Sequence, residues 1–324
     1  MSRVSSSSSE REPSSSGRRK EKPPKKRSLL KSLFLVLFLV VLVAGAAVSV
    51  FLTLYLRDIS EDLPSATEML AHKANVASVI YDRNGEPVAR LFTENRQPVE
   101  LRSISPWIIK ATLAAEDSSF YQHGGIRLLS IARAFVENVT NRGVKQGGST
   151  ITQQLARNLF LSQERTLERK AKEVILSIRM EQLFTKDRIM EMYLNTIYFG
   201  HGAWGVDTAA RTYFGKPSSE VTLSEAAIIA GLIAAPGRYS PLSNFENSKM
   251  RQKYVLDRLL TLGWINEKER DEAYAAELEF KHVPNKVQEI NRAPYFVSHL
   301  LFNELLPKYG PDLVYSGGME IYTT

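Results

Sequence analysis

The sequence predicts a mainly α fold, α+β only through one small β-hairpin, preceded by a single transmembrane helix. Three observations carry that prediction. Ser32 to Leu56 holds no charged side chain. Asn75 to Glu100 alternates imperfectly about an Asn-Gly pair. From Ser105 onward the apolar residues recur mostly at helical spacing, between recognisable caps and stops.

A chain of 324 residues allows one large domain or two smaller ones, and a hydrophobic fraction of 44% is normal for a real core. Cysteine is absent, which excludes disulfides, thiol catalysis and zinc–cysteine sites without fixing the compartment. The formal charge of +7 sits entirely in residues 1–31, which carry ten Lys and Arg against three Glu, so the rest of the chain is neutral. A basic tail before an apolar run is a topology signal, and no nucleic-acid partner is expected.

Taken in order, residues 1–31 are rich in Ser, Lys, Arg and Pro and are expected to be a disordered basic cytoplasmic tail. Residues 32–56 would make ~37 Å of helix, enough to cross a ~30 Å hydrocarbon core. A cleaved signal peptide, with Ala44-Gly45-Ala46 as its site, fits less well, because cleavage would leave ten more mostly apolar residues at the new N-terminus. The cations before the span keep that end in the cytoplasm and place everything from Arg57 outside it. VASVIYD and EPVARLF flank Arg83-Asn84-Gly85, a hairpin signal. Ser105 can cap a helix with Pro106 in its first position, and that helix delivers Glu116 and Asp117 at its C-terminal end. Carboxylates there oppose the helix dipole, so a stability rationale for the pair is weak. Residues 126–139 read as an amphipathic helix, with a formal sequon at Asn138, and Arg142 to Gly148 as a loop. Thr185 to Asn195 reads as a helix with Ile189, Met190, Tyr193 and Leu194 inward. Thr222-Leu-Ser-Glu225 is a capping box opening the apolar helix AAIIAGLI, expected at the centre of the core. Glu246 to Leu262 is a long helix stopped by Gly263, and Asn266 caps a short one. Pro294 to Leu306 is a last helix, and MEIYTT begins a strand with no partner in view, as though the chain were truncated. The expected organisation is a globular domain over 57–265 and a linker over 266–324 leading toward a missing C-terminal domain.

Several formal motifs fail on context. Gly200 to Gly205 fits G-x-G-x-x-G but follows a helical pattern rather than a strand. The Gly143 to Thr150 loop has Ser where a phosphate loop needs Lys. Ser28-Leu-Leu-Lys31 has the S-x-x-K form, but no K-T-G follows. The five His are scattered without H-E-x-x-H.

Chemistry concentrates between Ala114 and Glu173. Glu116 is followed by Phe120 and His123 at spacings that can fold back over it; an acid under an aromatic is partly desolvated, which raises its pKa toward that of a useful base. GGSTITQQLARN reads as a helix capped by Ser149, whose N-terminus with Ser149 and Thr150 is an anion site. Gln153 and Gln154 supply amides suited to sugar hydroxyls, with Arg157 and Asn158 one turn on. Arg169, Lys170 and Glu173 can share a helix face. In isolation that cluster would be a surface ion-pair ladder; beside a base and a polar helix start it suits a diphosphate clamp.

These blocks resemble the glycosyltransferase family 51 domain, the peptidoglycan glycosyltransferase of class A penicillin-binding proteins and of monofunctional glycosyltransferases. Glu116-Asp117-x-x-Phe120-x-x-His123-x-Gly125 matches the family's first motif. Gly148-Ser149-Thr150-x-Thr152-Gln153-Gln154-x-x-Arg157-Asn158 matches the second, with Arg157 where Lys is often found. Arg169-Lys170-x-Lys172-Glu173 matches the third. Tyr193-Leu194-Asn195 with Gly200 resembles the fourth, and Ala209-Ala210-x-x-Tyr213-Phe214-Gly215-Lys216 the fifth. The resemblance spans roughly Leu63 to Ile265, and after Asn291 the chain is similar to the linker before a transpeptidase domain.

The resemblance implies a lysozyme-like fold and polymerisation of lipid II into β-1,4 glycan strands, with inversion and release of undecaprenyl diphosphate. It implies Glu116 as general base, and Arg169, Lys170 and Arg157 as cations that stabilise the leaving diphosphate. Asp117, Phe120, His123, Ser149, Thr150, Gln153, Gln154 and Asn158 would help bind substrate. Glu173 would be a second catalytic group, either orienting those cations, assisting departure of the leaving group or helping bind a divalent metal (Mg or Mn); no cofactor is required. The implied partners are lipid II, the growing lipid-linked glycan, the bilayer, and cell-elongation or division proteins. The implied location is the bacterial inner membrane, single-pass, with the catalytic domain in the periplasm. Two alternatives stay open: a lytic, glycan-cleaving enzyme with Glu116 as acid, and a non-catalytic membrane scaffold that binds peptidoglycan precursors.

Overall fold

The computed structural model describes residues 26–71, 77–92, 95–127, 148–162, 164, 166–281, 288–290 and 293–323. The tail up to residue 25, most of the helix expected over 126–139 with its sequon, and the loop over 142–147 lie outside the described residues. The chain divides into two compact units, 1–57 and 58–324.

Helix α1 runs Lys26–Glu61, beginning earlier and ending later than the uncharged run. Residues 26–31, expected in the disordered tail, are therefore helical. Lys, Arg and Leu are good helix formers, and extending an existing helix costs far less than starting one. From Leu33 to Phe51 and at Leu54 its large apolar side chains are exposed. The stretch Ser32–Glu61 is long and apolar enough to cross a membrane, with mean hydropathy 3.0 over its most apolar 18 residues.

In the second unit, α2 (Ala66–Ala71) leads to strands β1 (Ser78–Tyr81) and β2 (Pro87–Leu91), and β3 (Asn95–Arg96) follows. β1 and β2 pair antiparallel, Ile80 opposite Ala89, with a register shift at Tyr81. The turn is wider than an Asn-Gly pair alone would make. Asp82 Oδ1 accepts from the Asn84 and Glu86 amides at 2.8 and 2.9 Å, so the Asp side chain organises the loop.

The helical body follows: α3 (Pro106–Glu116), α4 (Ile151–Phe160), α5 (Leu167–Leu183), α6 (Lys186–Thr196), strand β4 (Ala203–Trp204), α7 (Val206–Phe214), α8 (Leu223–Leu232), α9 (Phe245–Thr261) and α10 (Glu267–Ala275). Thr150, Thr166, Thr185, Thr222, Asn244 and Asn266 accept from the third helical amide at their helix starts. Ser105 stands at the N-cap of α3 without capping it, because its hydroxyl donates to the Val221 carbonyl at 2.7 Å. As expected, α8 is the core helix: Ser224 to Leu232 are all buried, between α3 and α9. Gly263 at φ +69 lets the chain leave α9.

Beyond residue 290 come α11 (Pro294–His299), a π-helical stretch Leu300–Leu305, α12 (Leu306–Ser316) and strand β6 (Glu320–Tyr322), with β5 (Gln288–Ile290) before them. The strand for which the sequence offered no partner has one. β6 pairs parallel with β1, completing a sheet of order β5-β2-β1-β6. The apolar residues accordingly form two clusters. One fills the helical body and reaches past residue 265 to Ala273 and Phe280. The other joins Ile80, Val88, Ala89 and Leu91 of the hairpin to Val297, Leu301, Leu305 and Val314. The hairpin thus packs with the C-terminal segment.

Candidate functional site

The last residue of α3 is Glu116, 13% exposed. Its Oε2 accepts from Gln154 Nε2 at 2.9 Å, and Arg251 of α9 lies 3.9 Å from its Oε1. Burial holds the carboxyl above the ordinary value of 4.5, against the Gln154 hydrogen bond and the Arg251 and Arg157 charges, while the Asp117 charge adds to the rise. Gln154 is itself held: its Oε1 accepts from the hydroxyl of fully buried Tyr193 at 2.9 Å.

Asp117, next in sequence, faces a different way. Its side chain is wholly buried; Oδ2 accepts from the Ile151 amide at 3.2 Å and pairs with His123 Nε2 at 2.9 Å. His123 Nδ1 accepts from the Gly125 amide at 3.1 Å, so the ring donates to Asp117 through Nε2. Expected to fold over Glu116, His123 instead pairs with Asp117. Phe120, also fully buried, has its ring contacts with Tyr121, His123 and the Lys186 ammonium. Gly125 sits at φ +85, where a Cβ would fall 2.9 Å from Glu181 Cγ and 3.0 Å from the Ser177 carbonyl.

The first turn of α4 is closed by the protein itself. Thr150, not Ser149, is the N-cap, and with Gln153 it forms a capping box. The Thr150 hydroxyl donates to the Gly125 carbonyl at 2.6 Å, and Asp117 takes the Ile151 amide. The anion site expected at this helix start is therefore filled by Asp117. Thr150 and Gln153, expected to face substrate, are buried and engaged in the cap. Ser149 is left free of the cap and accepts from Lys170 Nζ at 2.8 Å.

On α5, Arg169 and Lys170 share Glu173 as the spacing predicts. Glu173 is 1% exposed; Arg169 holds its Oε1, and Lys170 holds its Oε2 at 2.8 Å. Lys170 keeps 41% of its side chain exposed. Lys172 pairs instead with Glu168. Both Glu173 oxygens are thus held by cations, and among the described residues no three His, Asp or Glu gather as a metal site. The donor set does not fit a metal at Glu173.

Arg157 and Asn158 are half-buried on α4 one turn past Gln154. Among the described residues the Arg157 side chain makes no hydrogen bond or ion pair, though its charge acts on Glu116 and Tyr193. Of the later motifs, Asn195 serves the backbone: its side chain donates to and accepts from Val99 at 2.8 and 3.0 Å. The Tyr213 hydroxyl donates to the Phe199 carbonyl at 2.8 Å, Gly215 is the left-handed end of α7, and Lys216 pairs with Glu225.

Sequence reasoning missed Arg251. Its guanidinium lies over the Tyr254 ring at 4.4 Å and the Tyr239 ring at 5.5 Å, and Gly231 of α8 makes room for its stem. It lies far from every motif in sequence, and nothing in its neighbours marks it. Sequence reasoning also misses the Tyr193 hydroxyl: spacing marks Tyr193 as an inward helix residue, and the fourth motif that contains it assigns the hydroxyl no contact; a buried Tyr needing a partner is the available signal.

Comparisons with known proteins agree with the family that the five motifs resemble. The Transglycosylase family profile matches residues 84–260. Penicillin-binding protein 1A of Escherichia coli (strain K12) is 42% identical over 269 residues, covering 83% of this chain and 31% of that protein. Penicillin-binding protein 1A of Neisseria flavescens is 40% identical over 263 residues, covering 81% and 32%. The chain therefore spans about a third of the length of the curated relatives it matches. A crystal structure of penicillin-binding protein 1A from Haemophilus influenzae aligns at 23% identity with a TM-score of 0.43, over 78% of this chain and 27% of that one, a likeness too loose to carry weight.

Proposed function

The chain belongs to the transglycosylase family, and we propose that it is a peptidoglycan glycosyltransferase of bacterial cell wall synthesis, polymerising lipid II into β-1,4 glycan strands. One observation carries the reading. α4 and the residue before its N-cap join a largely buried carboxylate to a cation cluster: Gln154 binds Glu116, and Ser149, five residues earlier, binds Lys170.

The chemistry follows from that placement. The acceptor's 4-hydroxyl gives its proton to Glu116 as its oxygen bonds to the donor's anomeric carbon. The bond from that carbon to the diphosphate breaks, the electron pair leaves with the diphosphate, and the centre inverts. A carboxyl held above its ordinary value is a stronger base than an exposed one once ionised. Lys170 and Arg169, oriented by Glu173, stabilise the charge that develops on the leaving group, with Arg157, whose charge reaches Glu116, as a third cation; such help aimed at developing charge is usually the largest catalytic effect. Glu173 acts here as an orienting group, because both its oxygens are engaged. Asp117, Phe120, His123, Thr150 and Gln153 hold the first two motifs together behind the surface, and Ser149, Gln154 and Asn158 line it.

By this reading α1 crosses the inner membrane once, with the basic N-terminus in the cytoplasm and the catalytic unit outside. A reporter fused before Ser28 that proved accessible from outside would refute that topology. A lytic enzyme would also use a raised Glu116, as acid, but has no need of the cation face. The purified chain is therefore to be given lipid II and, separately, finished glycan strands. Long strands on a gel from lipid II support the proposal, whereas cleavage of finished strands with no polymer formed would favour the lytic reading.

A further inference from the structure

Tyr193, Gln154 and Glu116 form a linear relay across three helices. Tyr193 of α6 donates to Gln154 Oε1 at 2.9 Å, and Gln154 of α4 donates from Nε2 to Glu116 Oε2 at 2.9 Å. The side-chain amide of Gln154 has two faces of opposite character. With Oε1 toward Tyr193 its NH₂ meets Glu116, which suits a carboxylate. Turned over, its oxygen would meet Glu116, which suits the protonated acid as donor.

We propose that Tyr193 is a positioning residue that locks the Gln154 amide with its NH₂ toward Glu116 and so favours the carboxylate, the form a general base needs. Turning the amide over would leave the Tyr193 hydroxyl without an acceptor, since among the described residues Gln154 is the group that accepts from it. Tyr193 is fully buried, and a buried donor without a partner is costly. Burial also keeps its phenol well above the ordinary range, so it stays a donor at every working pH. The relay opposes the desolvation that pushes Glu116 the other way. The other charges acting on Glu116 are Arg157 from α4, Arg251 from α9 and Asp117 beside it; the titratable group on α8, Glu225, is tied to Thr222 and Lys216.

This inference rests on Glu116 being the base, and the test separates the two. In the full chain with carbon-13-labelled glutamate carboxyls, the Glu116 signal is assigned by its loss in Glu116→Gln, and its titration is followed directly. Tyr193→Phe lets the amide turn and accept from the acid, so the Glu116 midpoint should rise by about one pH unit. Gln154→Ala should raise it similarly, and adding Tyr193→Phe to Gln154→Ala should raise it no further. The acid limb of kcat/KM for lipid II polymerisation should move with it. An unmoved midpoint in Tyr193→Phe, or a second full rise in the double variant, overturns the relay. If Tyr193→Phe fails to fold, an unmoved midpoint in Gln154→Ala overturns it equally. A midpoint that moves while the acid limb stays put leaves the relay intact and removes Glu116 as the base.

Discussion

Lys170 Nζ stands 2.8 Å from Ser149 Oγ and 2.8 Å from Glu173 Oε2, so the charged face of α5 is fastened to the start of α4. The sequence motifs that supply these residues are separate; the lysine makes them one surface. The lysine side chain stays partly exposed while its counter-ion is buried.

Two kinds of lysine on α5 should therefore respond differently. Lys172→Ala removes the partly exposed pair with Glu168 and should cost about 0.3–0.5 kcal/mol and no turnover. Lys170→Ala leaves buried Glu173 with Arg169 alone, for a loss of about 1–3 kcal/mol, and should reduce kcat strongly at temperatures well below the melting transition. Arg169→Lys should also lower kcat, because a point charge does not replace a planar fork on phosphate oxygens. Normal kcat in both Lys170→Ala and Arg169→Lys would return the cluster to a structural role.

Glu116→Gln should lower polymerisation at least ~10²-fold while keeping the fold. The same variant has a signed effect on stability. Because the folded carboxyl sits above 4.5, the native state holds the proton more tightly than the unfolded chain. Wild-type stability from this group is full below about pH 4.5 and is lost as pH rises through the folded value. The variant should thus gain stability relative to wild type at neutral pH and lose that advantage in acid. Melting curves at pH 4 and pH 7.5 read the difference; an equal gap at both would contradict the burial of this charge.

Gly125→Ala should cost about 1–3 kcal/mol, since the residue must keep φ +85 while its new methyl meets Glu181 and the Ser177 carbonyl. Activity should fall further than stability suggests, because the Gly125 carbonyl and amide hold Thr150 and His123. Chemical denaturation and turnover measured on one preparation check both parts.

Asn195→Ala should free the segment before the 3₁₀ turn Leu101–Ser103 by unpairing the amide and carbonyl of Val99. The expected loss is about 1–3 kcal/mol, with faster hydrogen exchange at Val99 and little change in kcat. Unchanged exchange there would show that other contacts hold the segment.

Much of this was legible because it is local. The Thr222-x-x-Glu225 box, the Gly263 stop and the i,i+3 and i,i+4 pairs on α5 depend on neighbours in sequence. The cap of α4 was misassigned to Ser149, although Thr150-x-x-Gln153 has the capping-box form and Ser149-x-x-Thr152 does not. What escaped was set by tertiary contact. His123 turns to Asp117 because Gly125 supplies the other half of its hydrogen bonding. Arg251 reaches Glu116 only because α9 crosses α8 at a glycine. No spacing announces either.

Residues 78–91 and 319–323 share one sheet, and Met319 donates to a serine 241 positions earlier. At ribosomal rates of ~5–20 residues per second, β1 emerges roughly 10–50 s before β6 exists to cover it. During that interval Ile80 and Leu91 lack the C-terminal half of their cluster, and β1 presents an unpaired edge open to any other extended chain. A nascent chain stalled or cut before Glu320 would keep that edge indefinitely, with the helical body already able to form around α8.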